Sequence, residues 1–157
     1  MRITERLNVE HGVFLRQLED LDHLVRGGAL PAVLEAVVRT IYRAEKPHRE
    51  IEDGLLYPAL AEALGSQYPQ LQRMAEEHRE IEELTRLIDS GLFYKVQVER
   101  FIETLRGHIE REIHLLLPLA EEWIPKEKLE AMCDWPVEHA YERSVERPAR
   151  WAEKRLG

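Results

Sequence analysis

Residues 98–119 read VERFIETLRGHIEREIHLLLPL, and alternating steps of three and four select Val98, Phe101, Leu105, His108, Glu112, Leu115 and Leu119. Apolar residues at that spacing mark one face of an α-helix, so this stretch predicts a buried seam with an imidazole and a carboxylate in its middle. Three further stretches read the same way. The first gives Ile3, Leu7, His11, Phe14, Leu18, Leu21 and Val25, and the second Leu34, Val38, Ile41, Glu45, His48, Glu52, Leu55 and Ala59. The third gives Met74, His78, Ile81, Thr85 and Ile88. Each seam carries a histidine. Four amphipathic helices in one chain predict an all-α, up-and-down four-helix bundle.

Punctuation residues set the expected bounds. Thr4 suits the cap of a first helix that runs to about Arg26 and ends at Gly27-Gly28. Pro31 suits the first turn of a second helix ending near Leu64, before Gly65. Tyr68-Pro69 opens a third helix that stops at Ser90-Gly91, and a fourth spans Tyr94 to Glu122, with Pro118 as an expected kink or stop. Pro47 lacks the amide that would bond back to Arg43, which predicts either a kink that aims His48 or a break in the helix. Residues 1–124 thus read as the bundle. Residues 125–157 read as a short C-terminal helical extension to about Cys133 and a polar tail, with Trp123, Trp135 and Trp151 packed on the bundle, or on a second subunit as a homodimer, or else loosely held.

An internal repeat runs through the seams. His48, His78 and His108 lie 30 residues apart, and each is followed four residues later by a glutamate: Glu52, Glu82 and Glu112. Residues 48–52 and 78–82 are both His-Arg-Glu-Ile-Glu, and His108, Glu110, Glu112, Leu115, Leu116 and Pro118 match His48, Glu50, Glu52, Leu55, Leu56 and Pro58. Residues four apart on a helix share a face, so each pair can reach one metal ion or two adjacent ones. Antiparallel helices joined by short turns bring residues about 30 apart to one level, and a longer first connection, residues 26–31, brings His11 there too. Burying four histidines and several carboxylates unpaired costs several kcal/mol each. Divalent or trivalent cations would compensate, and a hydrogen-bonded polar layer without metal is the alternative.

Composition narrows the function. The 157 residues are 44% apolar and 33% charged, enough for one domain with a proper core. A formal net charge of −8 with no basic stripe argues against nucleic acid and anionic membranes as partners. A single cysteine, Cys133, rules out an internal disulfide framework and, with no apolar leader at the amino terminus, predicts a cytoplasmic protein. No Ser-His-Asp order, glycine-rich phosphate loop or CxxC pair supports another chemistry.

The residues that carry the repeat resemble the hemerythrin-like, or HHE cation-binding, family over about residues 5–123. The likeness rests on the lone His11, His48 with Glu52 before Leu-Leu-Tyr-Pro, His78, and His108 with Glu112 before Leu-Leu-Leu-Pro. It implies a four-helix bundle around two non-haem irons. Glu52 and Glu112 would bridge them, His78 and His108 would bind the first, and His11 and His48 the second, which would keep an open position. Glu82 stands where oxygen-carrying members have a histidine. As a ligand it would favour the ferric state and oppose reversible oxygen carriage; as a flanking residue it would face solvent while the seam passes through Ile81.

The functional expectation is a di-iron protein that binds or senses oxygen or nitric oxide, or handles iron. The alternatives are a redox enzyme or an iron-sulfur repair protein, and a metal-free interaction module. Manganese and zinc also suit such nitrogen and oxygen donors. His114, about 240° around the helix from His108, and His23 are expected at the surface. Cys133 with His139 is a weaker second metal or redox candidate, and Tyr42 and Tyr57 are candidate hydrogen-bond donors to a ligand on the second iron.

Overall fold

A computed structural model describes residues 1–91 and 95–134. Helix α1 (Ile3–Arg26) buries Ile3, Leu7, His11, Phe14, Leu18, Leu21 and Val25, the seam read from sequence, with Thr4 beside them. Arg2 rather than Thr4 forms its N-cap: the Arg2 amide donates to Glu5 at 2.8 Å, while the Thr4 hydroxyl, already inside the helix, donates to Glu121. At its far end Gly28 takes φ +71°, and the amides of Gly28 and Ala29 turn back to the carbonyls of Val25 and Leu24. This left-handed exit satisfies carbonyls the helix would otherwise orphan and needs a residue without Cβ.

The second rod begins with α2 (Pro31–Ile51), passes through a π-helical turn (Glu52–Leu56) and ends with α3 (Tyr57–Leu64). The helix continues across Pro47, and the departure from regular α geometry comes five residues later. A third rod is the single helix α4 (Pro69–Asp89). The fourth repeats the second: α5 (Lys95–Arg111), a π-helical turn (Glu112–Leu116) and α6 (Leu117–Trp123). A short helix, α7 (Lys126–Cys133), then packs on α1. Helix α1 touches α2 and α5, and α4 touches the same two, which is the neighbour pattern of a four-helix bundle. The expected residue Tyr94 and the tail from Trp135, including His139 and Trp151, lie outside the described residues.

Both π turns share a local setting. The amides of Tyr57 and Leu117 reach back five residues, to the carbonyls of Glu52 and Glu112, and each is followed by a proline, Pro58 or Pro118. Proline has no amide to donate, and its ring crowds the carbonyl four residues earlier; one extra residue in the turn relieves the crowding. The extra residue rotates everything after it. Leu55, Leu115 and Leu119, expected in the seam, are only half-buried, while Leu56, Leu116 and Ala120 are fully enclosed.

The core is divided. One apolar cluster holds Ile3, Leu7, Leu56, Tyr57, Leu60, Leu71, Met74, Leu116 and Ala120, with Leu129 and Met132 from α7. The other holds Phe14, Leu18, Leu21, Val38, Ile41, Ile81, Ile88, Phe101 and Leu105. Between them on every rod lies a histidine.

Deletion of the exposed His114 should therefore keep Leu116, Leu117 and Ala120 facing inward and leave the bundle folded, at a cost of about 3 kcal/mol for returning Pro118 to an ordinary helical turn. Deletion of Arg106 would swing residues 95–105 by about 100° relative to the rest of the rod. Thermal melts followed by circular dichroism should show a cooperative transition for the first variant and none for the second.

Candidate metal centre

Four buried imidazoles meet in the layer between the two apolar clusters: His11, His48, His78 and His108 are at most 5% exposed, and Glu52 and Glu112 are fully enclosed among them. The imidazoles form two pairs. His11 Nε2 and His48 Nε2 stand 2.9 Å apart, and His78 Nε2 and His108 Nε2 3.0 Å apart. Glu52 spans both pairs. Its Oε1 lies 2.7 Å from His48 Nε2 and 3.6 Å from His11 Nε2, and its Oε2 lies 3.4 Å from His78 Nε2. Glu112 also touches both pairs, but with one oxygen: Oε2 lies 2.9 Å from His11 Nε2 and 3.4 Å from His108 Nε2. Its Oε1 accepts a hydrogen bond from the buried Tyr57 hydroxyl.

The donor set fits cations. Two groups have ligand atoms within 4.8 Å of one another, His11, His48, Glu52 and Glu112 in one and Glu52, His78 and His108 in the other. A cation with bonds of about 2.1 Å and ligands at right angles holds neighbouring donors roughly 3.0 Å apart, close to the nitrogen separations in both pairs. Moreover, among the described residues no donor hydrogen is aligned on Glu52 Oε1, Glu52 Oε2 or Glu112 Oε2, although all three are buried. Unsatisfied buried carboxylate oxygens cost several kcal/mol, and a cation in each group would satisfy them.

Outer carboxylates orient three of the rings. Glu10 Oε2 lies 2.7 Å from His48 Nδ1, Asp53 Oδ1 3.0 Å from His78 Nδ1, and Glu77 Oε2 3.0 Å from His108 Nδ1. Such bonds fix the tautomer so that Nε2 presents its lone pair inward. Sequence reading missed all three. Glu10 and Glu77 directly precede site histidines and Asp53 directly follows Glu52, but each serves a ring on another helix, which spacing along one helix does not reveal. Glu77 is in turn gripped by Arg111 and by Arg73 at 3.1 Å. Gly107 makes room for the first of these, since a Cβ there would stand 3.2 Å from the Arg111 guanidinium.

Glu82 is a correction. It lies exposed on α4 and takes no part in either group. The buried stripe of α4 runs through Ile81, Leu84, Thr85 and Ile88, so His78 sits toward one edge of it. A step of four residues advances about 40° past that edge. Tyr57 also differs from expectation: it stacks on His78 at 5.6 Å between ring centres, not beside the His11–His48 pair. Tyr42 packs beneath the Arg49 guanidinium, 5.0 Å from its ring centre, and His114 and His23 are exposed.

Electrostatics in the layer couple the groups. Burial opposes a charged His48, but the Glu52 charge and the hydrogen bond to Glu10 outweigh it and raise the imidazole to about 10. Burial likewise opposes a charged His78, and Asp53 overrides it to about 9. His108 is raised well above its ordinary range by Glu112 and Glu77 against burial, and His11 is raised by Glu112 and Glu52 against burial. Burial and the Glu52 charge push Glu112 up, yet His108 and His11 hold it down at about 2. Glu52 stays well below the usual carboxylate range despite burial, chiefly through His48.

A family model, the hemerythrin HHE cation-binding domain, matches residues 2–120. The chain belongs to that family. No curated protein and no solved structure matched it. The family model describes a cation-binding domain, and the buried histidine and glutamate cluster fits a metal.

In the metal-free protein, paired histidinium contributes stability that is complete below their ordinary 6.5 and is lost as pH rises through about 9 to 10. The carboxylates contribute above their ordinary 4.5, and Glu112's share is lost as pH falls through about 2. Melting temperature of the metal-free form should therefore peak between these ordinary values, pH 4.5 to 6.5, and fall toward pH 10. Cation uptake must displace these protons, so titration in weak buffer should show acidification at neutral pH. Tyr57→Phe leaves Glu112 Oε1 without its donor and should cost the metal-free fold about 1–3 kcal/mol in denaturant titrations. His108→Ala and Glu112→Ala should lose bound metal by elemental analysis; Glu82→Gln and His114→Ala should retain it.

Proposed function

We propose that the chain holds two iron ions, His11 and His48 on one, His78 and His108 on the other, with Glu52 and Glu112 shared between them, and that the pair meets oxygen or nitric oxide. The observation that carries this reading is Glu52, whose two buried oxygens face different histidine pairs and accept no aligned hydrogen bond. The first group offers four protein donors and the second three, short of the six of an octahedral ion, which leaves room for an external ligand. Two glutamates against two ferrous ions leave a net charge of two positive. With Glu82 at the surface, no third carboxylate adds to the ferric bias, and reversible binding becomes the favoured outcome over irreversible oxidation.

Iron supplies the electrons for either outcome when bound; the protein supplies a dry, oriented donor set. A metal-free interaction module is disfavoured because the two enclosed oxygens of Glu52, without an aligned hydrogen bond, would then rest on charged imidazoles alone. Anaerobic reconstitution with ferrous iron should give two ions per chain. Admitting oxygen or nitric oxide should produce a visible band that fades on degassing. Prompt, irreversible oxidation would point instead to a redox or iron-handling role, and less than one ion per chain would end the di-iron reading.

A further inference from the structure

The bundle is built from two similar helical hairpins, residues 3–64 and 69–123, each contributing two histidines and one enclosed glutamate. His11 corresponds to His78, His48 to His108, and Glu52 to Glu112. The outer carboxylates follow the same correspondence: Glu10 precedes His11 and holds His48, and Glu77 precedes His78 and holds His108. Asp53 follows Glu52 and crosses to hold His78 in the other hairpin. Its counterpart, the residue after Glu112, would be placed to hold His11, but that residue is Ile113, half-buried against the apolar cluster. Accordingly His11 Nδ1 is buried and has no hydrogen-bond partner among the described residues.

A second observation concerns the same pair. A surface depression of about 260 Å³ is lined by Arg6, Glu10, Val13, Phe14, Ala44, Pro47 and the nearly enclosed His48. Among these residues the Phe14 ring stands edge-on to His48 at 5.2 Å, and Glu10 links His48 to Arg6, whose Nε donates to it at 2.9 Å.

Building on the two-cation reading, we propose that the two cations are not equivalent: the one held by His11 and His48 is exchangeable and passes through this depression, while the one held by His78 and His108 is resident. Each outer-shell partner of a ligating histidine is worth about 10–100-fold in metal affinity. The resident cation has both its imidazoles braced by carboxylates, and the exchangeable one has a single braced imidazole. The substrate of the exchange is a divalent cation, taken from or delivered to an acceptor with nitrogen or oxygen donors, with no change in its oxidation state.

Zinc-loaded protein challenged with an excess of a chromogenic chelator tests this without any redox chemistry. Release should be biphasic, one equivalent leaving at least ten times faster than the other. Ile113→Asp gives His11 the missing acceptor and should slow the fast equivalent by about ten-fold or more; Asp53→Ile removes the brace from His78 and should bring the slow equivalent up to the fast rate. Ala44→Trp, at an exposed position on the rim, should slow the fast phase several-fold and leave the slow phase alone. Two equivalents leaving together from the unaltered chain would overturn the proposal while the two-cation reading stands, as would a fast phase indifferent to both Ile113→Asp and Ala44→Trp. Uptake of fewer than two zinc ions would overturn that reading, and the proposal with it.

Discussion

Two fully enclosed carboxylates, Glu52 and Glu112, impose the condition the rest of the molecule meets. They sit between two apolar clusters, out of reach of water, and one unpaired there would be among the most expensive groups a protein can bury. Four imidazoles surround them because positive charge is needed at that depth, as protons when the site lacks metal and as cations when it is filled. The site is thus the middle of the core rather than a pocket attached to it, and the rods can close around it only when the charge is balanced.

Local chemistry places those groups to high accuracy. A π turn begins at each enclosed glutamate, six residues before a proline that the widened turn accommodates, and it lets both the glutamate and Leu56 or Leu116 face inward. Three rings are then held from behind by carboxylates on other helices. Gly107, Arg111, Glu77 and His108 form one continuous line of support, from a missing Cβ to an oriented lone pair.

Much of this was legible in the chain itself. The seams of α1, of α4 and of the first halves of the second and fourth rods follow the 3.6-residue period, and the four histidines fall in them. Beyond Glu52 and Glu112 the reading slips by one residue at Leu55 for Leu56, Leu115 for Leu116 and Leu119 for Ala120, while Ala59 is buried as read, because periodicity assumes regular helix and the π turn breaks it. Glu82 repeats the spacing of Glu52 but not its surroundings, since spacing fixes an angle on one helix and says nothing of how far that helix's buried stripe extends. Glu10, Asp53 and Glu77 were silent for the related reason that their partners are remote in sequence.

The crossing of each glutamate to a histidine of the opposite hairpin has a consequence for how the centre assembles. Glu112 reaches His11 and Glu52 reaches His78, so neither half of the chain can complete a coordination sphere by itself. Filling the centre resembles the association of two partners that happen to share one backbone. The four residues 65–68 are the tether, and a link that short keeps the halves at an effective concentration of about millimolar or above. Dilution, which would dissolve a centre shared between separate chains, leaves this one intact.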